Sequence, residues 1–176
     1  IISDLWIGDF VWLGPQLRVG FPASPLYFYL HLPILWLLNG SAYSLIVTQV
    51  IIGIIALSAV FFLSKKRDIN SLISIFFIAL SPWWITSLVH PWNGYMYLPW
   101  LLLALVFLWR GKNLFLSLLF YGISVSIHPA SFLVAPIFLF EWLTSKQFTL
   151  IKKVFILPIS LLLPWLPIIA FEFITK

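Results

Sequence analysis

The sequence predicts an all-α integral membrane protein with about six transmembrane helices and an outer-surface loop that carries a short amphipathic juxtamembrane helix. Two observations predict this class. First, 62% of the 176 residues are hydrophobic and only 9% are charged, against about 45–50% and about 25% in soluble domains. Second, most basic residues lie in short loops between apolar runs, where they set membrane orientation.

The apolar runs predict spans that alternate between the two sides of a bilayer. A run of about 20 residues crosses the hydrocarbon core. Proline inside the last run is tolerated, because neighbouring helices and polar side chains can satisfy the freed carbonyl groups. The predicted spans cover residues 42–63, 69–89, 95–109, 113–127, 130–142 and 154–171.

The chain divides into two regions, 1–41 and 42–176. Residues 1–41 mix glycine, proline and charged residues and predict a first outer loop, periplasmic or extracellular. Residues 42–176 predict a transmembrane helical domain, a fragment of a longer module, because Ile1 is not an initiator methionine. In the loop, Ser24 is expected to cap a helix that starts at Pro25. Residues 26–38 are too few to span and are expected to lie flat on the outer surface.

The positions of the basic residues predict which side is cytoplasmic. Of the lysines and arginines, only Arg18 and Lys176 fall on the second side of the alternation. By the positive-inside rule the richer side faces the cytoplasm, so we expect an integral plasma (inner) membrane protein whose site faces outward. Membrane lipids are then expected partners and nucleic acid is not. The cytoplasmic set is Lys65, Lys66, Arg67, Arg110, Lys112, Lys146, Lys152 and Lys153.

The outer side collects the polar residues of this apolar chain. All three histidines, His31, His90 and His128, are predicted to lie there. The spans between the two His-Pro turns have about 15 residues, against the roughly 20 that cross a bilayer. This shortfall predicts an outward-open bowl lined by His, Asn, Trp and Tyr. An ordinary aromatic belt at the membrane surface explains the same residues, and both interpretations stay open.

Short motifs then follow one another in the order of a known family. They are "GDFVWLGP", "SPLYFYLHLP", "SPWW", the turn "HPWNG" and "IHPAS". Over essentially its whole length the chain resembles the N-terminal half of the polytopic GT-C glycosyltransferases, family 39-like. In that superfamily it is most similar to relatives of the dolichyl-phosphate-mannose protein mannosyltransferases and the lipid A aminoarabinose transferase. It departs from the "HPPLY" version of the surface-helix motif, because Ala23 and Ser24 occupy that neighbourhood.

The resemblance implies a membrane glycosyltransferase. Such enzymes move a sugar from a polyprenyl-phosphate donor to a glycan, lipid or protein acceptor on the outer face. An acidic residue in the first outer loop acts as general base or holds a divalent metal ion, and no other cofactor is implied. Asp9 and Asp4 are the candidates in this chain, although the family's spacing puts the acid upstream of Ile1. Solvated loop acids are the plain alternative for both.

Binding residues are expected among the remaining outer polar groups. Arg18 can pair with phosphate as a bidentate donor, or simply sit near anionic lipid headgroups. His90 and His128 can donate hydrogen bonds to phosphate or sugar, or be satisfied at helix ends. A sugar ring can be held by stacking and hydrogen bonds, and the candidates are Tyr27, His31, Trp92, Asn93 and Tyr95. Histidine and asparagine without a carboxylate at ligand spacing define no metal site.

Two other classes of function stay open. A multi-span transporter or flippase fragment fits prolines within spans and an outward cavity. Two features argue against a transporter: the predicted spans carry almost no charged residues at mid-depth, and the sequence shows no inverted repeat. A non-catalytic membrane scaffold is the third interpretation. The sequence favours the glycosyltransferase, then the transporter, then the scaffold.

Overall fold

A computed structural model describes residues 24–63, 69–90, 96–109, 113–147, 149–166, 169, 170 and 173. Within these ranges every regular element is helical, which confirms the all-α prediction. Two short 3₁₀ helices, Pro129–Val134 and Leu163–Trp165, follow the α-helices Leu114–Ile127 and Leu150–Leu162. The α-helices are α1 (Leu26–Tyr29), α2 (Leu32–Leu37), α3 (Tyr43–Phe62), α4 (Ile69–Leu80), α5 (Pro82–Val89), α6 (Leu98–Trp109), α7 (Leu114–Ile127), α8 (Ala135–Thr144) and α9 (Leu150–Leu162).

The predicted surface helix 26–38 is two helices, so that prediction was wrong in detail. Pro33 has no N–H to donate to the carbonyl of Tyr29 four residues earlier, and this breaks the helix between α1 and α2. The second helix ends in a Schellman motif. The Gly40 N–H donates to the Leu35 carbonyl over 2.9 Å, and Asn39 adopts the left-handed φ of 49° that the motif requires.

One predicted span is a single long helix. Within the described ranges, α3 with its 20 residues is the helix that is long and apolar enough to cross a membrane. The predicted span 69–89 is bent by 63° between Leu72–Leu80 and Pro82–Val89 and counts as a second only if the bent pair is one span. Pro82 causes the break, because it disfavours helical backbone at Ser81, which is extended with ψ 129°.

The other predicted spans are shorter helices that end at irregular turns. The apolar helices Leu98–Trp109, Leu114–Ile127, Pro129–Thr144 and Val154–Trp165 have 10–17 residues each. Asn113 caps α7, because its side chain accepts a 3.1 Å hydrogen bond from the Leu116 N–H. Helix length alone therefore does not account for the predicted six crossings.

Helix α6 lies between two apolar cores. It packs on α7 and on α3, and α9 also packs on α7. Trp100 and Leu103 of α6 join the first core, with residues of α1, α2, α3 and α5. Ala104 and Leu108 of the same helix join the second, with residues of α7 and α8. The four-residue α1 packs on α7, so this segment, which precedes the long helix α3, is attached to the bundle.

Two glycines mark close helix contacts and give a test of this packing. A methyl group at Gly122 of α7 would collide with the backbone carbonyl oxygen of Ser160 on α9, whereas one at Gly53 of α3 would meet the flexible end of Leu88.

Gly122→Ala should lower the free energy of unfolding by about 1–3 kcal/mol through overpacking. Gly53→Ala should change it far less, because Leu88 can move and alanine favours helix. Thermal unfolding of both purified variants makes the comparison. Equal stability of the two would contradict the α7–α9 contact.

Candidate functional site

Four of the ten predicted site residues can be located. Asp4, Asp9, Arg18, Trp92, Asn93 and Tyr95 lie outside the described residues. Tyr27, His31, His90 and His128 lie within them. These four fall into a buried pair, an exposed residue and a half-buried ring. Their surroundings show which of them can meet a ligand.

Tyr27 and His31 form the buried pair. Each side chain is 5% exposed, and the two rings meet edge to face with centroids 5.2 Å apart. Burial lowers the pKa of His31 to about 4 and raises the pKa of Tyr27 to about 12, so both are neutral at pH 7. Within the described residues, His31 Nδ1 is buried without a hydrogen-bond partner. The pair therefore belongs to the core, with one unused polar atom.

His90 stands apart from the others. It is exposed at the end of α5, and its backbone N–H donates to the Thr86 carbonyl over 3.1 Å. Among the described residues no hydrogen bond or ring contact joins it to Tyr27, His31 or His128. The bowl that His90 and His128 are predicted to line stays a prediction.

His128 occupies the turn between α7 and the first 3₁₀ helix. Its extended backbone, φ −151° and ψ 131°, ends α7 and starts the next helix. Its Nδ1 accepts a 3.1 Å hydrogen bond from the Ala130 N–H, and its ring stacks on Tyr97 at 5.5 Å and 19°. A neutral imidazole that accepts at Nδ1 carries its proton on Nε2. Partial burial also lowers the pKa of His128. The half-buried ring is thus a fixed donor through Nε2–H.

Two buried serines support this turn. The hydroxyl groups of Ser124 and Ser131 lie 2.7 Å apart, and Ser124 also donates to the Tyr97 carbonyl over 3.2 Å. Ser124 belongs to α7, Ser131 to the first 3₁₀ helix and Tyr97 to the start of α6. The ring under His128 and the helix that His128 caps are therefore held by one buried hydroxyl pair.

Three further hydrogen bonds tie neighbouring elements to the same end of the bundle. Gln49, 1% exposed in the middle of α3, donates from Nε2 to the Met96 carbonyl over 2.9 Å. The Ser24 N–H donates to the Ser126 carbonyl over 3.2 Å, and its hydroxyl donates to the Pro164 carbonyl. The start of α1, the end of α7 and the segment after α9 therefore meet near His128.

The predicted cap at Ser24 is present in altered form. Its hydroxyl accepts from the Leu26 N–H over 3.2 Å, but the helix starts at Leu26, one residue later than predicted.

Sequence reasoning did not identify Ser124, Ser131 and Tyr97 as part of the site. Gln49 could have been identified from the sequence, because an amide within an apolar span needs a buried partner.

The described residues contain no group of three or more His, Cys, Asp or Glu side chains that could hold a metal ion. The two candidate acids lie outside them. No family model matches the chain, and no curated protein or solved structure matches it either.

The buried state of His31 predicts a pH-dependent stability. Its pKa of about 4 in the folded chain lies below the ordinary 6.5 of an unfolded chain, so the unfolded chain binds the proton more readily. The neutral, buried His31 therefore contributes to the free energy of unfolding. This contribution is fully present above pH 6.5 and is lost as pH falls toward 4, by about 3 kcal/mol at most. In His31→Phe, which keeps the ring contact, the free energy of unfolding should fall less over this interval. Exposed His90→Gln serves as the control.

Unfolding in denaturant at pH 7, 6, 5 and 4 checks this expectation. The His90→Gln protein should follow the parent. Identical pH profiles for the parent and His31→Phe would contradict the buried, neutral state of His31.

Proposed function

We propose that the chain is part of a membrane glycosyltransferase that uses a polyprenyl-phosphate sugar donor and works at the outer face of the membrane. Residues 1–41 would form the outer loop and residues 42–176 the transmembrane domain, with about six crossings. The observation that carries the proposal is His128, a fixed Nε2–H donor at the end of an apolar helix bundle. The resemblance of the sequence motifs to those of the GT-C glycosyltransferases supports the same proposal.

Surface composition supports the membrane location. In α3 only 22% of the most apolar 18-residue window is buried, whereas the core helix of a soluble protein is mostly buried. Large side chains are exposed on other helices too, for example Phe77 on α4 (70%), Phe140 on α8 (64%) and Phe155 on α9 (62%). Apolar area of this extent needs a bilayer or a partner to cover it.

The short helices support a recessed outer site. The 14 residues of α7 rise about 21 Å, against about 30 Å of hydrocarbon. If the basic loops hold their ends at the cytoplasmic surface, the turn at His128 lies below the outer surface. Irregular backbone at that depth must be satisfied by protein or by a water-filled cavity. The hydrogen bonds of Ser124, Ser131 and Gln49 meet this requirement.

Sugar transfer from a polyprenyl-phosphate donor requires only a few functions of the protein. Polyprenyl phosphate is already a competent leaving group, so the enzyme has to orient the acceptor, remove its proton and stabilise phosphate charge. His128 Nε2–H suits a phosphate or sugar oxygen as a neutral donor. Asp9 or Asp4, or an acid outside this chain, would supply the base or hold a divalent metal ion. His31 is too deeply buried to act as that base without an opening of the outer segment.

One observation favours a transporter or flippase fragment. The 63° break between α4 and α5 is of the kind that forms substrate sites in transporters. Against it, Asp, Glu, Lys and Arg occur in the described helices only at Glu141, Lys152 and Lys153, all distant in sequence from the break. Ion coupling at mid-depth normally needs such a group. The glycosyltransferase therefore remains the preferred function.

Carrier binding tests the proposal without requiring the complete enzyme. The purified chain in lipid nanodiscs should bind a radiolabelled polyprenyl-phosphate sugar. His128→Phe keeps an aromatic ring over Tyr97 but removes the donor, and binding should weaken about tenfold, the effect of one hydrogen bond to a charged group. His128→Asn, which can still cap the Ala130 N–H and donate, should lose less.

His90→Phe is the matched control, because His90 is exposed and, among the described residues, makes no hydrogen bond or ring contact with His128. Its affinity should stay within about twofold of the parent, or about 0.4 kcal/mol. No carrier binding, or equal losses for the His128→Phe and His90→Phe proteins, would count against the glycosyltransferase and leave the transporter as the better reading.

A further inference from the structure

Residues 24–40, which we call the strap, are fastened to the bundle at their first residue. The Ser24 N–H donates to the Ser126 carbonyl over 3.2 Å, and the Ser24 hydroxyl donates to the Pro164 carbonyl. Ser24 is completely buried, so water does not compete for these two hydrogen bonds. They form a latch between the strap, the end of α7 and the segment after α9.

The other end of the strap is the corner before α3. Asn39 and Gly40 both have left-handed φ angles, 49° and 80°, in the region that glycine enters at little cost and that asparagine tolerates. Hinges are short segments of this kind, in which a few residues absorb the change in backbone angles. The strap can therefore change direction at this corner while the helices on either side stay intact.

The strap covers the end of α7 that leads to His128. Ser126 and Ile127 are each only 1% exposed. Ile127 packs in the first core together with Tyr27 and Phe28 of the strap. Departure of the strap would therefore expose the last residues of α7 before the turn at His128.

The buried face of the strap carries His31, a basic side chain without a charged neighbour. Its ring contacts Tyr27 edge to face. The strap and α3, α5, α6 and α7, which share its core, contain no Asp, Glu, Lys or Arg. The other titratable side chains of these elements, and of the described turns next to them, carry no negative charge in acid. They are Tyr27, Tyr29, Tyr43, Tyr97, Tyr121, His90 and His128.

A proton on His31 is therefore incompatible with the closed strap. Within the described residues Nδ1 of His31 has no hydrogen-bond partner, so a proton there would be a buried donor without an acceptor. The positive charge would also be buried without a counter-charge, which is costly. Burial lowers the pKa of His31 to about 4 for the same reason. Opening of the strap would place the imidazolium in water and remove both costs.

We propose that residues 24–40 are an acid-opened strap: protonation of the buried His31 releases the latch at Ser24 and swings the segment about the corner at Gly40, which uncovers the end of α7 beside His128. The movement does not depend on whether His128 binds a sugar carrier. Its test is therefore separate from that of the proposed function.

Thiol accessibility measures the opening, because the chain has no native cysteine. Ser126→Cys places a thiol of nearly the same size under the strap, and Ala42→Cys places one at an exposed position just beyond the corner. Each purified intact chain is treated with 4,4′-dithiodipyridine, which also reacts with thiols in acid. The ratio of the rate at position 126 to that at position 42 follows the open fraction and cancels the intrinsic effect of pH on the reagent.

This ratio should rise about twentyfold between pH 7 and pH 5, the change expected for a histidine whose pKa is about 4 in the closed strap and about 6.5 in the open one. In the His31→Phe background, which keeps a ring beside Tyr27 but cannot take up a proton, the ratio should stay within about twofold. His90→Gln removes an exposed histidine and should show the same rise as the parent.

Ser117→Cys separates opening of the strap from unfolding of the chain. Ser117 also lies on α7 and is 0% exposed, but its hydroxyl donates to the Ala104 carbonyl in the second core. A thiol at this position should stay protected at pH 5. If the His31→Phe protein is unfolded by this criterion, His31→Gln, which also takes up no proton, replaces it.

Three results would overturn the inference. One is a ratio at position 126 that is the same at pH 7 and pH 5 in the parent. A second is a rise that persists in a folded His31→Phe or His31→Gln protein. The third is an equal rise at position 117, which would show unfolding of the bundle and not release of the strap. Failure of carrier binding would leave these results unaffected, and a strap that stays closed would leave the glycosyltransferase unaffected.

Discussion

The hydroxyl pair of Ser124 and Ser131 is the interaction on which the candidate site depends. It joins α7 to the first 3₁₀ helix at 2.7 Å, and through the Tyr97 carbonyl it also holds the start of α6. Both serines are completely buried, so neither can exchange its partner for water. His128 caps one of these elements and stacks on another. Its orientation as a donor follows from that support.

The same physical constraint recurs throughout the bundle. Prolines break the apolar helices, and every break leaves carbonyl or N–H groups that cannot be left unpaired in an apolar interior. Side chains supply the partners: Gln49 for the Met96 carbonyl and Ser24 for the Pro164 carbonyl. The contacts of Ser24, Ser124 and Ser131 lie where helices begin or end, whereas Ser117 of α7 donates to the Ala104 carbonyl of α6 over 2.9 Å inside the second core.

Much of the helical order was predictable, because long apolar runs and the Asn113 cap are local signals. The positions at which these helices break were harder to predict. Pro33 and Pro82 were visible, but whether a proline bends a span or ends it depends on the packing around it. For the candidate site, the His-Pro turn predicted His128 as a binding residue, and that role stays a prediction. Sequence reasoning did not identify Tyr97, Ser124 or Ser131, because isolated polar residues in apolar runs acquire partners only when distant segments fold together.

A double-mutant cycle on Ser124 and Ser131 tests the central claim most directly. The free energies of unfolding of the parent, Ser124→Ala, Ser131→Ala and the double variant are measured in denaturant by tryptophan fluorescence. Ser124→Ala leaves the Ser131 hydroxyl unpaired and should cost about 1–3 kcal/mol. Ser131→Ala should cost less, because Ser124 still donates to the Tyr97 carbonyl. If the two hydroxyl groups are coupled, the double variant should cost at least about 1 kcal/mol less than the sum of the single changes. Additive costs within about 0.3 kcal/mol would show that the two hydroxyl groups are not coupled, and the support for His128 would then lie elsewhere.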